Sequence, residues 1–342
     1  MALAPVSPRE ISCIVQGPVV DRTMTQQVLN SVRFHLPGAE IILSTWEGQA
    51  EGLSGADHVC ESKDPGGLRD LSGRTFNLLR QAVSTVVAIR VASRPYTFKL
   101  RVDIPLTSSA LCIYDENWLS ETRPVFAGRI VMPTVVVRDP VKFPQPFAMC
   151  DVTHFGRTDD LLLLWESVLS APQELYWHDG DWKPELFGNF AGYTQLRCSA
   201  EQACVIAPLQ GTKYASDALL NNPCDLRFTS FCLARRVMKQ SFYLVRYQEC
   251  GMVFPKRMWN PAFVRNSFLD PEQSLYLKQM NDRLVWLVAI ANKYLFAIAR
   301  PSFLAPFTSH ILFRYLPTLG PSARRAFHCL RGDRFFGSSG KA

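Results

Sequence analysis

No two of the ten cysteines stand at Cys-x-x-Cys spacing, and no histidine pair accompanies them at ligand spacing. Zinc-finger and thioredoxin-like readings therefore fail. No window reaches 18 uninterrupted apolar residues, so no membrane-spanning helix is expected. The start, MALAPVSPRE, lacks a basic head and an apolar run, so no export signal is expected. Free thiols without such a signal fit a reducing cytoplasm. Low-complexity tracts and internal repeats are also missing. With 47% hydrophobic and 20% charged residues, global disorder is excluded.

The 342 residues are enough for one α/β domain of about 200–250 residues and an appendage. The first half alternates between strand and helix signals. Apolar runs at 10–15, 40–45, 57–60 and 96–103 read as strands. Residues 23–36 carry apolar positions at helical spacing, with Thr23 or Thr25 as cap and Pro37-Gly38 as stop. Residues 74–92, 108–119, 159–169 and 195–208 read as further helices, and 125–137 as two β segments broken at Pro133. This order predicts an α/β fold: a mostly parallel, Rossmann-like sheet flanked by helices, with a helical, basic C-terminal appendage. The expected division is a catalytic domain over 1–235 and an appendage over 236–342.

The net charge of +7 is concentrated at the end. Arg314, Arg324, Arg325, Arg331, Arg334 and Lys341 face a single acid, Asp333, and are interleaved with Phe303, Phe307, Phe313, Tyr315, Phe327, Phe335 and Phe336. Basic residues among aromatics predict a peripheral segment on an anionic membrane surface. A helix packed on the catalytic domain is the plainer alternative. The charge lies on no recognisable nucleic-acid module, so no nucleic-acid partner is expected.

The strand YTFKLRVD is the most informative stretch. Alternation puts Thr97, Lys99, Arg101 and Asp103 on one face. Central parallel strands are normally apolar on both faces. Either this is an edge strand with a solvated face, or these charges serve a ligand at the carboxyl end of the sheet. On the second reading Asp103 holds a divalent metal (Mn2+ or Mg2+) or a ribose, and Lys99 or Arg101 orients it or faces phosphate. On the preceding helix, Asn77, Arg80, Gln81 and Ser84 fall on one stripe, either solvated or reaching a nucleotide site. Gln16-Gly17-Pro18 ends the first strand where a base or ribose contact belongs. Asp64-Pro65-Gly66-Gly67 is a turn whose glycines could admit a phosphate. Asp151 or His154 could be a second metal ligand or a base, and Glu201 could take a proton from an acceptor hydroxyl. Asn221-Asn222 reads as loop.

Together, IVQGPV (14–19), LNSVRFHLPGAEIILSTWEG (29–48), KDPGG (63–67), NLLRQAVST (77–85) and YTFKLRVD (96–103) resemble the WavE-type lipopolysaccharide-synthesis family of glycosyltransferase-like proteins. CDVTHFG (150–156), LLLLW (161–165), AEQ (200–202) and LLNNP (219–223) extend the resemblance to about residue 230. It implies a GT-A-like glycosyltransferase with a nucleotide-sugar donor and a saccharide or lipid-linked acceptor. The family's Arg-x-Asp strand falls on Arg101 and Asp103, and its Asn-x-x-Arg-Gln on Asn77, Arg80 and Gln81. Arg101 stands where most GT-A enzymes have the first aspartate of Asp-x-Asp. Thr153-His154 replaces the family's Ser-Asp. The expected assignment is Asp103 and Glu201 as catalytic residues. Gln16, Gly17, Asn77, Arg80, Gln81, Lys99 and Arg101 are expected to bind the nucleotide-sugar, and Asp103 and His154 a metal. The expected location is the cytoplasm, on the inner face of the cell membrane. A catalytically inactive sugar-binding or scaffold subunit at the membrane is the alternative.

Overall fold

The computed structural model describes residues 3–69, 75–120, 123–179, 182–255 and 279–323, with 258, 270, 271 and 326 as isolated positions. In chain order the elements are β1 (Ala4–Pro5), β2 (Ile11–Gln16), α1 (Arg22–His35), β3 (Glu40–Trp46), β4 (His58–Ser62), β5 (Leu68–Arg69), β6 (Thr75–Phe76), α2 (Leu78–Val91), β7 (Tyr96–Arg101), β8 (Ile113–Tyr114), β9 (Ile130–Pro133), β10 (His154–Arg157) and α3 (Thr158–Ser170). The second half adds α4 (Ala200–Ile206), α5 (Ala215–Ala218), α6 (Phe228–Ser241), β11 (Phe242–Val245), α7 (Asp282–Tyr294) and α8 (Pro301–Tyr315).

Seven strands form the central sheet in the order β11-β9-β10-β7-β2-β3-β4. The β7-β2-β3-β4 half is parallel, and β9 and β11 are parallel to each other. Only β10 runs against its neighbours, β7 and β9. Every residue of β2 and β3 is buried, as expected of strands covered on both faces. From β2 the chain moves outward to β3 and β4, then crosses back through α2 to β7. Right-handed crossovers therefore put α1 and α2 on opposite faces. α3 packs beside α2. β11 lies beyond residue 235, so the sheet draws on both sides of the expected domain division.

Several local expectations change. Helix α1 is capped by Asp21, whose Oδ1 accepts the Met24 N–H at 3.0 Å, and not by Thr23 or Thr25. A cap two to four residues earlier satisfies the exposed amides at the true start. Residues 108–119 are not one helix; they form turns, the short strand β8 and a 3-10 turn over Glu116–Ser120. β8 is held there by its antiparallel partner β1, a contact that local periodicity does not carry. Helix α2 starts at Leu78, four residues later than predicted. The nine described cysteines are unbridged. Among the described residues no helix is long and apolar enough to cross a membrane. Of the basic and aromatic tail, Arg324, Arg325, Phe327, Arg331, Arg334, Phe335, Phe336 and Lys341 lie outside the described residues.

Candidate active site

The strand order reverses direction between β2 and β7, and their carboxyl ends lie side by side: Gln16 pairs with Arg101. In open α/β sheets such a switch point opens a crevice. Gly17 leaves β2 at φ +130°, where its amide donates to Ser44 O at 3.0 Å. A Cβ added there would stand 3.4 Å from Val102 Cγ2, an ordinary contact, so it is the positive φ that favours glycine at this position. β7 is a central strand, so the edge-strand reading of Lys99, Arg101 and Asp103 falls.

The helix stripe runs from exposed Asn77 and half-exposed Arg80 to buried Ser84, and each of its residues has a partner. Ser84 Oγ donates to Gln16 Oε1 at 2.7 Å, and Gln81 Nε2 donates to Asp151 O at 2.7 Å. Arg80 reaches the Asp64 turn in a fork, with Nε and Nη2 donating to the two carboxylate oxygens at 2.7 and 2.8 Å. This guanidinium holds the Asp64 carboxyl below its ordinary value. Arg80 also donates to Asn77 Oδ1 at 3.1 Å, and Asn77 is the N-cap position of α2. The stripe thus ties the ends of β2 and β4 and the start of β10 to one helix.

Lys99 is fully buried. Its Nζ donates to Asp151 O at 2.6 Å and Val152 O at 3.1 Å, and lies 4.6 Å from the centre of the Trp165 ring. Burial lowers its pKa to about 8. Arg101 and Asp103 are partly exposed and bond to each other, Nε to Oδ1 and Nη2 to Oδ2, both at 3.0 Å. Asp151 follows the long segment from β9. Its pKa is raised to about 6, first by burial and then by the Glu201 carboxylate, against the pull of Lys99 and Arg101. Glu201 comes from the first turn of α4, which a capping box between Ser199 and Gln202 fixes in place. Burial also lowers Arg138 to about 10, while Glu201 opposes this. The structure therefore gathers Lys99, Arg101, Asp151, Glu201 and Arg138 into one electrostatic neighbourhood.

His154 is placed differently. It is 1% exposed, its Nε2 donates to Cys150 O at 2.6 Å, and its ring packs against Trp165 at 5.8 Å. Burial, reinforced by Lys99, lowers its pKa to about 3, so it stays neutral. Nothing opens it to a substrate or an ion. A protein-held divalent cation also finds a poor donor set at Asp103, since both oxygens accept from Arg101. Among the described residues no three His, Cys, Asp or Glu side chains converge.

Trp165, Arg138 and the pairing of Asp64 with Arg80 escaped the sequence reading. Each depends on contacts across 16 to 66 positions, and no local spacing signals them. In the segment leaving β9, Val136 and Phe147 adopt φ +67° and +63°. A β-branched residue there is an outlier, held only because its surroundings over-determine it.

Residues 11–305 match the family model described as WavE lipopolysaccharide synthesis, and the chain belongs to that family. No curated protein matches the chain.

Proposed function

We propose that this chain is a glycosyltransferase that moves a sugar from a nucleotide-sugar donor to a hydroxyl of a lipopolysaccharide-core or surface-polysaccharide acceptor. The observation that carries the reading is the β2/β7 switch point itself, where Gln16 pairs with Arg101 and the Arg101–Asp103 pair stands at the carboxyl end of β7. Gln16 and Gly17 contact the nucleotide. Asn77, Arg80 and Gln81 line its ribose and phosphate side. Arg80 and Arg101 offset charge developing on the leaving diphosphate. Asp103 holds the Arg101 fork in place and accepts from donor-sugar hydroxyls. Lys99 is a positioning residue that anchors the backbone at Asp151 and Val152.

The acceptor oxygen bonds to the anomeric carbon as that carbon's bond to the diphosphate oxygen breaks. The electron pair leaves with the nucleoside diphosphate, and the acceptor proton passes to a carboxylate. Asp151, poised near neutrality, suits that proton better than Glu201, whose negative charge tunes it. No step is routed through a metal, because the donor set does not fit one.

A donor screen by nucleotide release tests the reading. The wild type releases nucleoside diphosphate from one donor, and Asp103→Ala and Arg80→Ala each lose at least about tenfold in kcat/KM. The closed Arg101–Asp103 pair favours one other reading, an inactive sugar-binding or scaffold subunit. Calorimetric titration with nucleoside diphosphates, with and without manganese, discriminates: no binding in either condition supports the scaffold.

The same reading places the chain peripherally on the inner face of the cell membrane. Leu287, Leu295, Phe296 and Ile298 on and after α7 are each more than half exposed, which supports an apolar face beside a lipid-linked acceptor.

A further inference from the structure

A cavity of about 240 Å³ lies between the loop after α5 and helix α7. Asn222, Asp225, Glu185, Lys293 and Tyr294 line it. Lys293 is 3% exposed; its Nζ donates to Cys224 O at 2.7 Å and lies 4.9 Å from the centre of the Tyr294 ring, and it pairs with no carboxylate among the described residues. A buried ammonium normally has a counter-charge or a full set of acceptors. This one keeps donor capacity and borders a cavity. Asn222 is 6% exposed; its carboxamide oxygen accepts the Cys224 N–H at 2.8 Å, and its amide hydrogens have no partner among the described residues. Gly188, at φ +68°, makes the arrangement possible: an added Cβ would come within 2.6 Å of both Lys293 Cε and Tyr294 Cε1. The glycine lets these side chains pass into the wall.

The wall of the cavity is tied to the start of α4 by one hydrogen bond. Gln202, next to Glu201 in the chain, donates through Nε2 to Pro223 O at 3.0 Å, and Pro223 follows Asn222. Directed donors, carboxylates and one aromatic face, in a volume smaller than most drug-sized pockets, match a sugar ring with several hydroxyls. We propose that this cavity binds a terminal sugar of the acceptor saccharide, with Lys293 and Asn222 donating to its oxygens and Tyr294 covering its apolar face. The inference rests on the sugar-transfer reading and deepens it by locating the acceptor.

The test is calorimetric titration with deacylated lipopolysaccharide core oligosaccharide from cells deleted for this chain, alongside nucleoside diphosphate. Lys293→Met removes the donor and keeps the stem. Tyr294→Ala truncates a side chain that is 42% exposed and so leaves the fold undisturbed, with thermal unfolding as its check. The expected result is that wild type binds the oligosaccharide and both variants bind it at least about tenfold more weakly, with nucleoside diphosphate affinity unchanged. Wild-type affinity for the oligosaccharide in Tyr294→Ala, or no oligosaccharide binding by the wild type, overturns the inference. Failure of the sugar-transfer reading has a separate signature: no nucleoside diphosphate binding by the wild type, whatever the oligosaccharide does.

Discussion

Arg101 and Asp103, separated by one residue at the end of β7, face each other as a two-pronged pair with both contacts at 3.0 Å. Lysine has the charge but not the fork. Arg101→Lys should therefore lower kcat/KM for nucleotide release by about tenfold or more, with KM for the donor rising. Chelation with EDTA should leave the wild-type rate unchanged, since both Asp103 oxygens already accept from Arg101. A rate abolished by EDTA and restored by manganese would refute this.

The carboxylates of Asp151 and Glu201 set a pH dependence. The raised Asp151 carboxyl, near 6, is protonated on the acid side, so activity should rise with pH through about 6. Glu201→Gln removes the negative charge that favours the Asp151 proton. The acidic limb should then move to lower pH, while Asp151→Asn should lose about 10²–10⁴ in rate and the acidic limb with it. The pH profile of kcat/KM checks both.

Gly17→Ala should cost roughly 1–3 kcal/mol in urea unfolding, because φ +130° is a region that side chains resist.

At the membrane face, removing residues 284–342 would also remove Val285 and Ala289, which pack in a buried cluster with Leu226 and Phe231. Surface changes are the cleaner probe. Leu287→Glu with Phe296→Glu should abolish flotation with anionic vesicles and leave the thermal midpoint within a few degrees. Unchanged flotation would refute peripheral binding through this face.

Strand alternation made the Lys99, Arg101 and Asp103 face legible in the sequence, and helical spacing did the same for the Asn77, Arg80, Gln81 and Ser84 stripe. Both are local periodicities that the backbone enforces. What they touch was not legible. Ser84 finds Gln16 across 68 positions, and Asp151 senses Glu201 across 50. Such pairs arise from topology, here the return of the chain through the reversed strand β10. Residues 108–119 misled because apolar spacing there serves a pairing with Ala4 and Pro5 near the other end of the domain.

Lys99 is sealed under Trp165, whereas Arg80 and Asp64 are each more than a third open to water. Mobile counterions reach the second pair and not the first. Raising ionic strength should loosen the donor-phosphate side of the crevice while the field at Asp151 stays constant, so salt will move KM and leave the acidic limb of the rate profile where it was.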